Sequence, residues 1–146
     1  MAIAQAVCNV FKRELLKGTH DFDGGATYKI ALYTSSASLG AATANYAATS
    51  NQVANGSGYT TGGATLTSPT VTMSTTVSYV DFADASWTSA SFTANGALIY
   101  QSTGDVSSGD NAFLVLAFGG DFTASNGTFT IQFPTAGGGS ELLRLT

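Results

Sequence analysis

The feature that most constrains this chain is a change of hydrophobic period near residue 27. From there onward, β-branched and aromatic residues alternate with polar ones in short segments bounded by Gly and Asn. Side chains in a strand point to opposite faces in turn, so a period of two is the mark of a half-buried strand. In 27–34, Tyr28, Ile30 and Leu32 share one face. In 128–133, Phe129, Ile131 and Phe133 oppose Thr128, Thr130 and Gln132. Segments 97–101 and 112–118 are continuous apolar runs, too short for helices, and predict central strands covered on both sides. Further strands are expected at 76–82, 86–93 and 140–145. Turn signals fall between them at Asp23-Gly24-Gly25, Asn55-Gly56, Ser57-Gly58, Gly62-Gly63, Asn95-Gly96, Gly119-Gly120, Asn126-Gly127 and 137–139. Asn126-Gly127, between Phe122 and Phe129, is the strongest hairpin signal. Short strands at this spacing predict an all-β fold, an antiparallel β-sandwich of jelly-roll or similar type.

Before residue 27 the period is helical. Ile3, Val7, Val10, Phe11 and Leu15 recur at three- and four-residue spacings, which predicts a short N-terminal helix over 3–17. Lys12, Arg13 and Lys17 then fall where cations favour the helix dipole, and Gly18 stands at a natural C-terminal stop. Such a helix can pack on its own β domain, or it can be an arm that docks on a neighbouring subunit. On the second reading Ile3, Val7, Phe11 and Leu15 are partner-contact residues. Removal of 1–17 would then abolish assembly and leave the β signal in circular dichroism intact. The chain is expected to form a single domain, 1–146, with a helical arm at 1–20 and the sandwich at 21–146. Residues 35–64 are rich in Ser, Ala, Thr, Asn and Gly and have few large anchors. A structureless loop of that length is uncommon in a compact domain. It is read either as an excursion that touches a partner, with Tyr46 and Tyr59 as contacts, or as poorly marked edge strands; the excursion is favoured.

Composition narrows the function classes. Apolar residues make up 44% of the chain, enough for a core, but charged residues are only 10%, against about 25% in an ordinary domain. The net charge is −4, with three of the five basic residues at Lys12, Arg13 and Lys17. There is no basic stripe to bind nucleic acid, and the acidic balance disfavours an anionic membrane. Neither a signal peptide nor a transmembrane segment is expected, because the run before Cys8 is short, lacks a positive start and ends in charge. Release from the cell, if any, would follow another route such as lysis.

The search for chemistry finds no catalytic, cofactor or metal set. His20 lies near Asp21 and Asp23, but no nucleophile is placed beside it, and a turn histidine bonding backbone is the simpler reading. Asp21-x-Asp23-Gly24 begins like a calcium loop, yet Lys29 and Ile30 follow and no Glu closes it. Asp81 and Asp84 could form a hydrolytic carboxylate pair, whereas two Asp at a turn more often accept from backbone amides. Trp87 could support a sugar, although core packing is the more ordinary role for an aromatic in a sandwich.

Six stretches taken together have a family likeness. They are FKRELLKGTHDF (11–22), YKIALYTSSASLGAATANY (28–46), GYTTGGATLT (58–67), VDFADASWTSASFTANGALIY (80–100), LAFGGDFTASNGTFTIQFP (116–134) and LLRL (142–145). In this order, over nearly the whole chain, they resemble a family of small virion structural proteins of tailed bacteriophages. The resemblance implies a capsid decoration (cement) protein seated on the major capsid protein, or a head-fibre, neck or tail component. It implies no enzymatic activity, no cofactor and no catalytic residue to transfer. The expected partners are virion proteins and further copies of the chain, with a trimer as the expected oligomer. The expected location is the virion, after synthesis in the bacterial cytoplasm.

Overall fold

A computed structural model describes residues 2–23, 25–103, 111–135 and 142–146. The strands are β1 (Ala6–Val7), β2 (Thr27–Tyr33), β3 (Ala64–Thr65), β4 (Thr70–Ser74), β5 (Val77–Asp81), β6 (Ala85–Thr103), β7 (Ala112–Ile131) and β8 (Leu143–Leu145). Among the described residues, one α-helix, α1 (Asn9–Lys17), and a single 3-10 turn (Tyr46–Ala48) accompany them. A five-stranded antiparallel sheet in the order β1-β7-β6-β2-β3 and a three-stranded one in the order β4-β5-β8 make an all-β sandwich with a short N-terminal helix.

The apolar runs 97–101 and 112–118, with the period-two segment 27–34 beside them, become the centre of the large sheet. In β2, Ile30, Ala31, Leu32 and Tyr33 are all buried, as are Ala97–Tyr100 of β6 and Ala112–Val115 of β7. β6 and β7 are covered on both faces here, as their continuous apolar runs require, and so is β2, whose alternation predicts one solvent-facing side. Between the sheets lies an aromatic cluster. Phe11 packs 4.4 Å from Phe113, Phe22 stacks 4.7 Å from Tyr28, and Phe82 at the end of β5 joins them 5.7 Å from Tyr28.

The helix is shorter than the spacing predicts, and the reason is a hydrogen-bonding demand. β7 is central and needs a partner on its outer side, so Ala6 and Val7 are drawn into the sheet opposite Val115 and Leu114. The Cys8 N–H also donates to the Phe113 carbonyl at 3.0 Å. Helix begins only at Asn9 and ends as expected: Gly18 takes a left-handed φ of 74°, and the Gly18 and Thr19 amides donate to the Leu15 and Glu14 carbonyls.

The turn signals within β6 and β7 have another meaning. Asn95-Gly96, Gly119-Gly120 and Asn126-Gly127 are not turns; all three lie inside long strands. Between the pairs Ala90–Gly127 and Phe92–Ala124, β7 places Ser125 and Asn126 against Ser91 alone. Asn126 has φ 55°, and its amide donates to Ser91 Oγ at 2.9 Å. A positive-φ residue serves a bulge as well as it serves a hairpin. At Gly96 the constraint is space: a Cβ there would lie 2.7 Å from the Ile3 side chain and from the Leu116 carbonyl. Of the other expected turns, Ser57-Gly58 is a true one, with φ of 52° and 89° and reciprocal backbone bonds between Gly56 and Tyr59. Gly24 and 137–139 lie outside the described residues. The hairpin β4–β5, closed by Thr75-Thr76 with Thr75 at φ 55°, had no Gly or Asn to announce it.

Segment 35–64 runs irregularly but folds back on its own sheet. Ala37, Leu39, Val53 and Tyr59 are buried, Gln52 bridges Tyr33, and residues 64–65 form the edge strand β3 beside Lys29 and Ile30.

Candidate contact surface

The six residues expected to meet a partner are mostly committed to their own chain. Phe11 is 1% exposed and Tyr59 2%, so neither offers a surface, which corrects the expectation for both. The physical cause is the aromatic cluster for Phe11 and a polar clamp for Tyr59. The Tyr59 oxygen accepts from the Leu32 amide at 2.9 Å and from Gln52 Nε2 at 2.6 Å. Tyr46 is half-buried, stacked 4.5 Å from Tyr100 with its hydroxyl donating to Gln52 Oε1. Ile3, Val7 and Leu15 are likewise half-buried against the core, and it is Leu16, facing outward, that stands exposed on α1.

The chemical candidates are similarly engaged. Cys8 is fully buried, and burial pushes its thiol up to about 12, so it is an inert core residue. Asp81 Oδ1 accepts from the Phe82 amide at 2.9 Å and Asp84 Oδ1 from the Phe133 amide at 2.8 Å, so each ties down backbone. Asp21 Oδ1 accepts from the Asp23 amide, a local turn bond. Trp87 is buried edge-on against Phe129, with ring centroids 6.0 Å apart, and presents no face to a sugar. Among the described residues no group of His, Cys, Asp and Glu is placed to hold a metal ion, and no helix is long and apolar enough to cross a membrane.

His20 bonds a side chain rather than the backbone expected for it. It is buried under α1, with Nδ1 2.9 Å from the Tyr28 hydroxyl, which donates to Gln101 Oε1. Since that hydroxyl proton is used, Nδ1–H must be the donor to the Tyr28 oxygen, which leaves Nε2 without a partner. Burial pulls the imidazole down to about 4, against an opposing pull from Glu14. Glu14 itself is sealed from solvent just beneath the half-exposed side chains of Arg13 and Lys17. The Thr19 hydroxyl foremost, then Arg13 and Lys17, hold its carboxyl down at about 2.

The sign of the acid response follows. The unfolded chain takes up a proton on His20 at about pH 6.5 and the folded one only near 4, so stability falls as pH is lowered through that window. The loss is on the order of 3 kcal/mol. Glu14 acts lower: its contribution is present above about 4.5 and lost toward about 2. Urea midpoints measured from about pH 7 to pH 4.5 should fall in the natural protein and stay nearly flat in His20→Gln. Equal slopes in both would contradict a neutral, buried imidazole.

Two apolar surfaces are left uncovered among the described residues. The first part of β6 and the last part of β7 pair with each other beyond the reach of β1 and β2. On this ribbon a groove of about 390 Å³ is lined by Phe118, Phe122, Ala124, Phe129 and Ile131, with Thr123, Thr128 and Thr130 among them. Phe122 is 54% exposed, and Phe118 lies between it and Phe129 at centroid distances of 6.1 and 6.3 Å. Asp121 is the one charged residue in either strand, and it is bonded to Asn95. An uncharged surface with an aromatic anchor costs little to desolvate and suits a protein contact. A smaller groove of about 110 Å³ lies between Leu15 and Phe22 and the three-stranded sheet, where Val71 and Leu145 are half exposed and Met73, beside them on β4, more so. The residue sequence reasoning missed is Phe122. Its parity differs from that of Phe129 and Ile131, a difference that the bulge at Ser125-Asn126 offsets.

The chain matches no protein-family model, no curated protein and no solved structure.

Proposed function

We propose that this chain is a structural virion protein of a tailed bacteriophage, a capsid decoration protein that stabilises the head by contact with the major capsid protein. The observation that carries the reading is the uncovered, uncharged aromatic groove on the β6–β7 ribbon, centred on Phe122. The likeness of the six sequence blocks to small phage virion proteins supports the biological setting. In this role the protein acts by contact and performs no catalysis. Many copies on a lattice add avidity, so each groove can bind weakly. A place in the neck, tail or head fibre rests on the same likeness, and copy number separates it from decoration.

The test is Phe122→Asp. Phe122 is exposed, so the substitution should leave the circular dichroism and melting temperature nearly unchanged. Loss of an anchoring aromatic costs about 2 kcal/mol or more, roughly thirtyfold in affinity. Virions assembled with the variant should therefore carry far less of the protein. Undiminished incorporation would remove the groove from the contact.

A further inference from the structure

The three-stranded sheet ends in an edge whose five strand residues lack the usual protections, Pro69 standing just before them. In β4 all five residues are exposed, and among the described residues the strand is hydrogen-bonded to β5 alone. Natural edge strands are blunted by charge, proline or a bulge within the strand. Thr70–Ser74 has none of these, and its register with β5 is unbroken. The closing pair Ser74–Val77 across a two-residue turn directs the backbone groups of Thr70, Thr72 and Ser74 toward β5. Those of Val71 and Met73 therefore point outward, unpaired. Val71 and Met73 are 52% and 73% exposed and lie on the sheet face that holds Val80.

We propose that two copies of this chain pair through β4, antiparallel and about a two-fold axis at Thr72. This goes beyond the virion reading and does not depend on it. The strand is complementary to itself. In this register Val71 of each copy faces Met73 of the other, so the outward backbone groups are mutually satisfied and the exposed apolar side chains cover each other. A strand of unrelated sequence would not make that match. The absence of charge in the strand permits a second copy: two chains of net charge −4 can approach here without placing like charges in contact. An edge of five residues is about 17 Å long, below the scale of a standard interface, so the pair forms at micromolar concentrations and above. The elementary unit is then a two-fold pair rather than the trimer expected from the sequence.

The two-fold provides its own reporter. Facing residues that share no hydrogen bond in an antiparallel pair have Cα atoms about 4.5 Å apart, within disulfide reach. Thr72→Cys on the axis should therefore cross-link to itself under mild oxidation. The one natural cysteine, Cys8, is buried and stays out of the reaction. Thr88→Cys, exposed on the ribbon, measures random collision. The expected results are a concentration-dependent dimer in light scattering, its loss in Met73→Lys, and cross-linking of Thr72→Cys at least about tenfold faster than of Thr88→Cys. Met73 is largely exposed, so Met73→Lys should keep the fold, checked by circular dichroism. A monomer at all concentrations, an oligomer indifferent to Met73→Lys, or equal cross-linking rates would each overturn the pairing.

Discussion

Replacing Phe11 with alanine should lower the free energy of unfolding by about 3–5 kcal/mol, the usual cost of emptying a buried aromatic site. Phe11 sits at the meeting point of helix and sandwich. It packs 4.4 Å from Phe113, 5.9 Å from Phe22 and 4.8 Å from His20, and is 1% exposed. The change should leave a void between α1 and β7 that the flanking strands cannot close. For the same reason, deletion of 1–17 should damage the β domain rather than spare it. It removes β1 from the edge of β7 as well as Phe11 and Cys8 from the core. Denaturant unfolding of Phe11→Ala checks this directly. A loss below about 1 kcal/mol would mean that the helix is a detachable arm after all.

Gly63→Ala should be comparably damaging, at about 3 kcal/mol or more. Gly63 has φ 82°, and a Cβ there would overlap the Ile30 carbonyl in the middle of β2. Its amide also closes the turn onto the Thr60 carbonyl, just before β3 pairs with β2. Strain and overlap thus act together at the point where the long segment rejoins the sheet. Gly120→Ala is the matched control: an added Cβ meets nothing within 4 Å, and the φ is ordinary. Thermal melts of the pair should differ clearly; equal melting temperatures would show that the segment can lift from β2 at little cost.

The parts of the fold legible in the sequence were those where one physical demand acts alone. Burial on both faces reads as the apolar runs of β6 and β7, the inner face of β2 reads as Tyr28, Ile30 and Leu32, and Gly18 reads as a helix stop. Legibility failed where two demands compete. Ala6 and Val7 have a helical pattern, but β7 needs an edge partner, and pairing prevails. Asn126 can open a hairpin or a bulge, and the choice depends on how far the strands pair on either side. Tyr59 has the look of a loop contact, yet its hydroxyl meets the Leu32 amide 27 residues away in sequence, a partner no local pattern reveals. The groove around Phe122 was hidden for the same reason as the bulge at Ser125-Asn126. The edge of β4 was hidden because its turn, Thr75-Thr76, contains neither Gly nor Asn.

The proposed role is that of a building part of a virion whose work is contact. Its most direct test is the copy number of the chain in purified phage particles, measured by quantitative mass spectrometry against the major capsid protein. Decoration predicts a fixed ratio of the same order as the capsid protein's own copy number, and release of the protein should weaken the head. A few copies per particle would move it to the neck or tail, and its absence from the particle would contradict the account.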